Sequence, residues 1–166
     1  MVNLSAPTPL LPTHELAYFN SGEPSLDEWL KKRANKNHQS GASRCFVLCD
    51  EQKVIGFYSL SAGAIAHECS PKAMRRNMPD PLPVLLLGRL AIDKAYHNLG
   101  LGSALLRDAM IRAVSIAKEA GVFALLVHAL SPQAKQFYLS RGFIESPLQS
   151  MTLMMTIDTI RSVFLE

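Results

Sequence analysis

Two short stretches carry the residue types from which chemistry could be built. The first is Asp93-Lys94-Ala95-Tyr96-His97-Asn98-Leu99-Gly100-Leu101-Gly102-Ser103. It follows an apolar run and opens into a helix-forming segment, so several backbone N–H groups converge where the helix begins. Small residues let anionic oxygens approach those groups, and the helix dipole adds about half a positive charge. A tight turn that merely uses glycine has the same spacing. The loop is not of the Walker type, since no G-x-x-x-x-G-K-[ST] occurs, and Leu105 stands where a dinucleotide motif needs its third glycine. The second stretch is Ser131-Pro132-Gln133-Ala134-Lys135-Gln136-Phe137-Tyr138-Leu139-Ser140-Arg141-Gly142-Phe143. Ala134, Phe137 and Tyr138 share one helix face at i, i+3 and i+4. Aromatic pairs at that spacing usually fill a core, but a tyrosine hydroxyl at a cleft can donate a proton to a leaving group.

The elements around these stretches alternate between strand and helix. Val84 to Ile92 is nearly continuous apolar sequence, as in a strand covered on both faces. Leu101 to Ala120 has Leu106, Met110, Ala113 and Ala117 on one helical face, with Gly121 as a stop. Val122 to Ala129 is a second buried strand. Ser131 then supplies an N-cap with Pro132 at the first helical position. Upstream, Ser25 and Glu28 form a capping-box pattern before the stripe Leu26, Trp29, Leu30 and Ala34, in a helical region that ends at Gly41. Arg44 to Cys49 and Lys53 to Leu60 flank a short polar turn and predict a hairpin. Prolines at positions 71, 79, 81 and 83 argue against a central strand, although Lys72 to Asn77 suits a short helix. Residues 1–24 read as an extended lead-in with one strand or short helix. Met151 to Ile157 alternates as a final strand.

Composition narrows the classes. The chain has 166 residues, 48% hydrophobic and 19% charged, which suits one globular domain and is too apolar for disorder. Its net charge of +3 permits an anionic ligand without demanding one. Cys45, Cys49 and Cys69 cannot pair completely, and no spacing for a metal site occurs, so they read as small buried hydrophobes. The early prolines and acidic Glu15 do not suit a signal peptide, and no apolar run approaches a membrane span. A cytoplasmic protein is expected.

Together the loop and the tyrosine helix resemble the GNAT superfamily of N-acetyltransferases. The pyrophosphate loop Q/R-x-x-G-x-G/A of that superfamily is similar to His97-Asn98-Leu99-Gly100-Leu101-Gly102, with histidine at the first position. Its later motif N-x-x-A-x-x-F-Y-x-x-x-G-F is similar to Ser131 through Phe143, with serine for asparagine. The resemblance implies an α/β fold with a mixed, twisted sheet whose parallel strands splay, over one N-acetyltransferase domain at residues 1–166. It implies that acetyl-coenzyme A lies against Leu90, Ala91 and Ile92, with its pyrophosphate on His97, Asn98, Leu99, Gly100, Leu101, Gly102 and Ser103. Ser131, Ala134 and Phe137 would complete that site, and Tyr138 would be the general acid for the thiolate.

A closer resemblance spans most of the chain. Leu26-Asp27-Glu28-Trp29-Leu30, Gly41-Ala42-Ser43-Arg44, Ile55-Gly56-Phe57-Tyr58-Ser59-Leu60, Leu87-Gly88-Arg89-Leu90-Ala91-Ile92-Asp93 and Leu126-Val127-His128-Ala129-Leu130 are similar to the GNAT toxins of type II toxin–antitoxin systems. That resemblance implies acetylation of the α-amine of aminoacyl-tRNA, which blocks translation. It also implies a ribbon-helix-helix antitoxin, a homodimer, and operator DNA contacted only through the antitoxin.

The residues permit an independent check on the acceptor. Deprotonating a lysine amine, with pKa about 10.4, costs about 4 kcal/mol near pH 7.4, whereas an α-amine of pKa about 7.7–8.0 costs under about 1 kcal/mol. Pro83 to Ile92 has no carboxylate that could serve as a base, which favours an α-amine; Asp93 reads as a cap. Lys31, Lys32 and Lys36, Arg75 and Arg76, and Arg89 are candidates for tRNA phosphate contact. The first cluster reads equally as a solvated helix face, and Arg89 equally as a structural strand residue. His128 reads as a hydrogen-bonded core histidine, Trp29 as a helix anchor, and Met151, Met154 and Met155 as core or dimer seam. Two further functions stay open on sequence. One is a GNAT enzyme acting on a small amine, peptide or protein N-terminus; the other is a non-catalytic acyl-coenzyme A-binding regulator. No metal is expected.

Overall fold

Strands β2 (Arg44–Asp50) and β3 (Lys53–Ile65) form the expected hairpin, from Arg44↔Leu60 to Asp50↔Lys53. Glu51 takes the left-handed conformation (φ 59°) that a two-residue turn requires. The register shifts between Leu48 and Cys49, a bulge that bends the strand. The computed structural model describes residues 4–164. Within them, seven strands follow the order β1-β2-β3-β4-β5-β7-β6 in one sheet. The others are β1 (Thr8–Pro9), β4 (Leu82–Ile92), β5 (Ala124–His128), β6 (Ile144–Glu145) and β7 (Thr152–Thr156). β4 and β5 pair in parallel, while β1–β2, β2–β3, β5–β7 and β6–β7 are antiparallel. The sheet is therefore mixed, as expected.

The chain divides into two compact units, Met1–Ser61 with Gly88–Ala109, and Ala62–Leu87 with Met110–Glu166. The first holds β1, β2, α1 (Pro24–Lys32) and α2 (Ala34–Ser40). Leu10, Phe19, Leu30, Ala34, Val47 and Phe57 are among its core residues. Trp29 anchors α1 there, stacked on Phe57 at 6.0 Å, while Phe19 meets Phe57 edge-on at 5.4 Å. At Gly88, on the segment of β4 in this unit, a Cβ would lie 2.9 Å from Ser59 Oγ, so a side chain there would force Ser59 to shift.

The start of α1 corrects the sequence reading. Its N-cap is Glu23, Pro24 occupies the first turn, and no side chain caps it, so Ser25 and Glu28 make no capping box. Asp27 instead turns back to accept from the amide (3.0 Å) and hydroxyl (2.6 Å) of Ser21. Proline needs no capping acceptor, having no N–H to satisfy. The helical region also breaks at Arg33 into two helices, and Gly41 ends the second at φ 82°.

The second unit contains α4 (Pro132–Ser140) and α5 (Ile157–Phe164). Its core includes Ile65, Leu82, Val84, Ala124, Leu126 and Met154. The connecting helix α3 (Leu101–Ala117) ends three residues earlier than its apolar pattern predicts; Lys118 and Glu119 make tighter i→i−3 bonds instead. β4 begins at Leu82, ahead of its predicted start, and so includes Pro83. A strand accommodates proline near its first residue, and the Pro83 carbonyl still accepts from Phe123 N at 2.8 Å. The segment Lys72 to Asn77 forms only a 3-10 turn over Lys72–Met74. The short β6 and the last helix, α5, have no counterpart in the sequence reading.

Candidate active site

Asp93 sets the course of the glycine loop. It is buried, and its carboxylate accepts from Asn20 N and Ala95 N, both at 2.9 Å, while Lys94 N donates to Asn20 O at 2.8 Å. It is a cap, as its position after a strand suggests, and both of these contacts come from backbone amides. The chain then makes a 3-10 turn at Lys94–Tyr96, whose Tyr96 hydroxyl donates to Asp50 at 2.8 Å. That bond raises the tyrosine pKa, with smaller contributions from desolvation and neighbouring carboxylates. His97 folds back, its Nε2 donating to Ile92 O at 2.7 Å. Asn98 (φ 64°) and Gly100 (φ 75°) turn the backbone through left-handed conformations into α3.

The outcome is a helix N-terminus opened by small residues. Ala104 N bonds back to Gly100 O at 3.2 Å. Helix geometry gives the amides of Leu101 and Gly102 no acceptor inside the helix. No acidic residue occupies the first turn of α3, so its positive end is uncompensated there. Nothing lies within 4 Å of where a Gly100 Cβ would stand. This opening, with amides at its floor, fits a pyrophosphate group. Just before the loop, Ala91 and Ile92 are buried and Leu90 is half-buried.

In the other unit, α4 forms as its sequence dictates. Ser131 Oγ accepts from Ala134 N at 3.1 Å, and Pro132 begins the helix. Tyr138 is 8% exposed and lies edge-on to Phe137 (5.2 Å) and Phe143 (5.4 Å). Burial raises its pKa to about 12, so the hydroxyl keeps its proton at physiological pH. No partner for that hydroxyl is found among the described residues. A protonated, unengaged phenol is equipped to donate. Phe137 lies under the Arg141 guanidinium at 4.8 Å, and Lys135 pairs with Glu145.

The candidate cations divide by environment. Lys31, Lys32 and Lys36 are exposed on α1 and α2, where Lys32 meets Glu28 at 3.6 Å. Arg89 is half-buried over the Trp29 ring at 3.9 Å, and desolvation lowers its pKa. It also lowers the pKa of Cys45, although burial dominates and carries that thiol up to about 12. In the other unit Arg76 is exposed, whereas Arg75 donates from Nε (2.9 Å) and a terminal nitrogen (2.6 Å) to Ser70 O. Arg75 thus braces the turn at residues 66–70. His128 departs from the core reading: β5 stops at this residue, leaving it exposed, and Nδ1 is 2.9 Å from Thr152 Oγ1.

A family model for the acetyltransferase (GNAT) domain matches residues 41–145. The chain belongs to the GNAT acetyltransferase family. It is 47% identical over 163 residues to a tRNA-acetylating toxin of Mycobacterium tuberculosis, with 98% of each chain covered. Among solved structures, the toxin AtaT complexed with acetyl-methionyl-tRNAfMet matches with a TM-score of 0.91 at 28% identity, covering 98% of this chain and 99% of that one. A tyrosine-to-phenylalanine mutant of AtaT, bound to the C-terminus of the antitoxin AtaR and acetyl-CoA, matches with a TM-score of 0.85 at 27% identity over 99% of both chains. This GNAT chain is therefore an acetyltransferase on a mixed-sheet scaffold, as its loop and tyrosine helix implied. The hydrogen bond expected at His128 is present, but sequence reasoning could not name its partner, because Thr152 reaches it only through the β5–β7 register.

Proposed function

We propose that this GNAT protein is the toxin of a toxin–antitoxin pair that acetylates the α-amine of aminoacyl-tRNA and so blocks translation. The end-to-end 47% identity with a tRNA-acetylating toxin carries this reading. The chain's own chemistry supports it: β4 has no carboxylate, which suits an amine that loses its proton easily.

Acetyl-coenzyme A supplies the acetyl group as an activated thioester. Leu90, Ala91 and Ile92 offer backbone groups to its pantetheine arm, and residues 97–103 hold its pyrophosphate. Ser131, Ala134 and Phe137 belong to the same assignment, which treats residues 1–166 as one catalytic domain. Tyr138 holds a proton on its hydroxyl and delivers it to the departing thiolate. Lys31, Lys32, Lys36, Arg76 and Arg89 contact tRNA phosphates, while Arg75 shapes the turn beside Arg76. The protein acts in the cytoplasm as a homodimer, is silenced by a ribbon-helix-helix antitoxin, and reaches operator DNA only through it. Consistent with this, no helix among the described residues is long and apolar enough to cross a membrane.

Incubating the purified protein with labelled acetyl-coenzyme A and total charged tRNA tests the reading. An N-acetylated amino acid should be recovered after mild deacylation. Label confined to free amines or peptides would overturn the aminoacyl-tRNA assignment.

A further inference from the structure

The second unit contains a cavity of about 270 Å³ over one face of the parallel β4–β5 ladder. That ladder runs from Val84↔Ala124 to Leu87↔Val127. Ile65, Val84, Leu86 and Leu126 give the cavity apolar walls, and Gly63 and Ala64 one small-residue edge. Register explains the opposite edge: β5 and β7 are antiparallel with His128↔Thr152 and Leu126↔Met154, and directly opposed residues share a face. His128 and Thr152 therefore face one way, with Gln149 beside them.

These three residues form a directed relay. Thr152 Oγ1 donates its only proton to Gln149 Oε1 at 3.2 Å. It must then accept from His128 Nδ1 at 2.9 Å, so Nδ1 bears a proton, and in the neutral imidazole Nε2 is the acceptor. Nε2 has no partner among the described residues. The cavity thus offers apolar walls, an acceptor for an amine at His128 Nε2, and no Lys, Arg, Asp or Glu among its lining residues.

We infer that this cavity seats the aminoacyl group of the acceptor and selects an uncharged, aliphatic side chain, with His128 Nε2 accepting an N–H of the α-amine. The inference rests on the aminoacyl-tRNA reading above. A lysyl, arginyl, aspartyl or glutamyl side chain would lie against the apolar walls and gain no counter-charge from the lining. An aliphatic one loses nothing on entering and fills the walls. Accepting from the amine also directs the nitrogen without holding it as an ammonium ion.

The test charges one tRNA body with leucine, alanine, lysine or glutamate and compares kcat/KM for acetylation. In parallel, calorimetry measures binding of non-reactive 3′-amide analogues of the same aminoacyl-adenosines. Leucyl and alanyl forms should exceed lysyl and glutamyl forms by about 100-fold, the scale on which an apolar pocket discriminates against a polar analogue. Ala64 is an exposed lining residue, so Ala64→Glu should fold and raise lysyl acceptance at least about 10-fold. A Cβ at Gly63 would lie an ordinary 3.7 Å from Val84, so Gly63→Leu should fill the cavity and penalise leucyl more than alanyl substrates. An analogue lacking the α-amine should bind wild type about 10-fold more weakly than its amine-bearing parent, a difference that His128→Leu should abolish. Acetylation of all four charged tRNAs alike, or an Ala64→Glu profile identical to wild type, would overturn the inference and leave the acceptor class intact. Failure of wild type to acetylate any charged tRNA would overturn both.

Discussion

Replacing Tyr138 by phenylalanine removes one oxygen from a side chain whose ring is already held by Phe137 and Phe143. The packing is retained, and no protein partner loses a bond among the described residues. The melting temperature near neutral pH should therefore change little. Catalysis should not be spared, because the proton held at a pKa of about 12 is gone. Loss of a general acid lowers turnover by about 10²–10⁴-fold. Following the disappearance of thioester absorbance at saturating substrates should show that fall in kcat, while calorimetric affinity for acetyl-coenzyme A stays within about twofold. The same pKa fixes a second sign. The folded value, about 12, lies above the ordinary value of 10.0, so only the unfolded chain loses this proton between them. Stability from this group is complete below pH 10 and falls as pH rises towards 12, by up to about 3 kcal/mol. Tyr138→Phe should lack that part of the alkaline loss. A variant with undiminished kcat would refute the proton-donor argument, and identical alkaline unfolding curves would refute the burial argument.

Three further outcomes follow from the geometry. Gly100→Val places a β-branched residue at φ 75° over an otherwise open loop, so it should cost roughly 1–2 kcal/mol of stability and weaken acetyl-coenzyme A binding by at least about 10-fold, as read by denaturation and calorimetry. Arg76→Glu should weaken tRNA binding and reduce the slope of log K against log salt by about one, whereas Arg75→Glu should also lower the melting temperature, since its guanidinium braces Ser70 O. Cys45, fully buried with its thiol raised to about 12, should resist iodoacetamide at pH 8 in the folded protein, while the partly exposed Cys69 is alkylated; mass spectrometry of the digested protein distinguishes them.

Particular residues show where the sequence was readable. The Ser131-Pro132 helix start needs only a side-chain oxygen and an amide three residues away, and both are present. The bond from Ala95 N to Asp93 and the glycine-bearing entry to α3 are likewise short-range, so the candidate cofactor loop could be located before any fold was known. The Ser25 cap failed because Pro24 occupied the first turn and Asp27 found Ser21 instead. The helix α5 escaped notice because it is eight residues long and begins immediately after β7, where Thr156 Oγ1 accepts from Thr159 N at 3.1 Å.

The amino-acid order by itself determined which local structures could form: a cradle of amides after β4, a capped helix bearing Tyr138, a carboxylate-free central strand. Tertiary structure decided what those groups meet. Strand register joins His128 to Thr152 across 24 positions, burial sets the Tyr138 proton, and the fold turns Arg75 onto a carbonyl while Arg76 faces solvent. Local hydrogen bonds and backbone preferences act over a few residues and are written in short motifs. Register, burial and side-chain partnership depend on segments far apart in the chain, and they become definite only when the sheet closes its ladders.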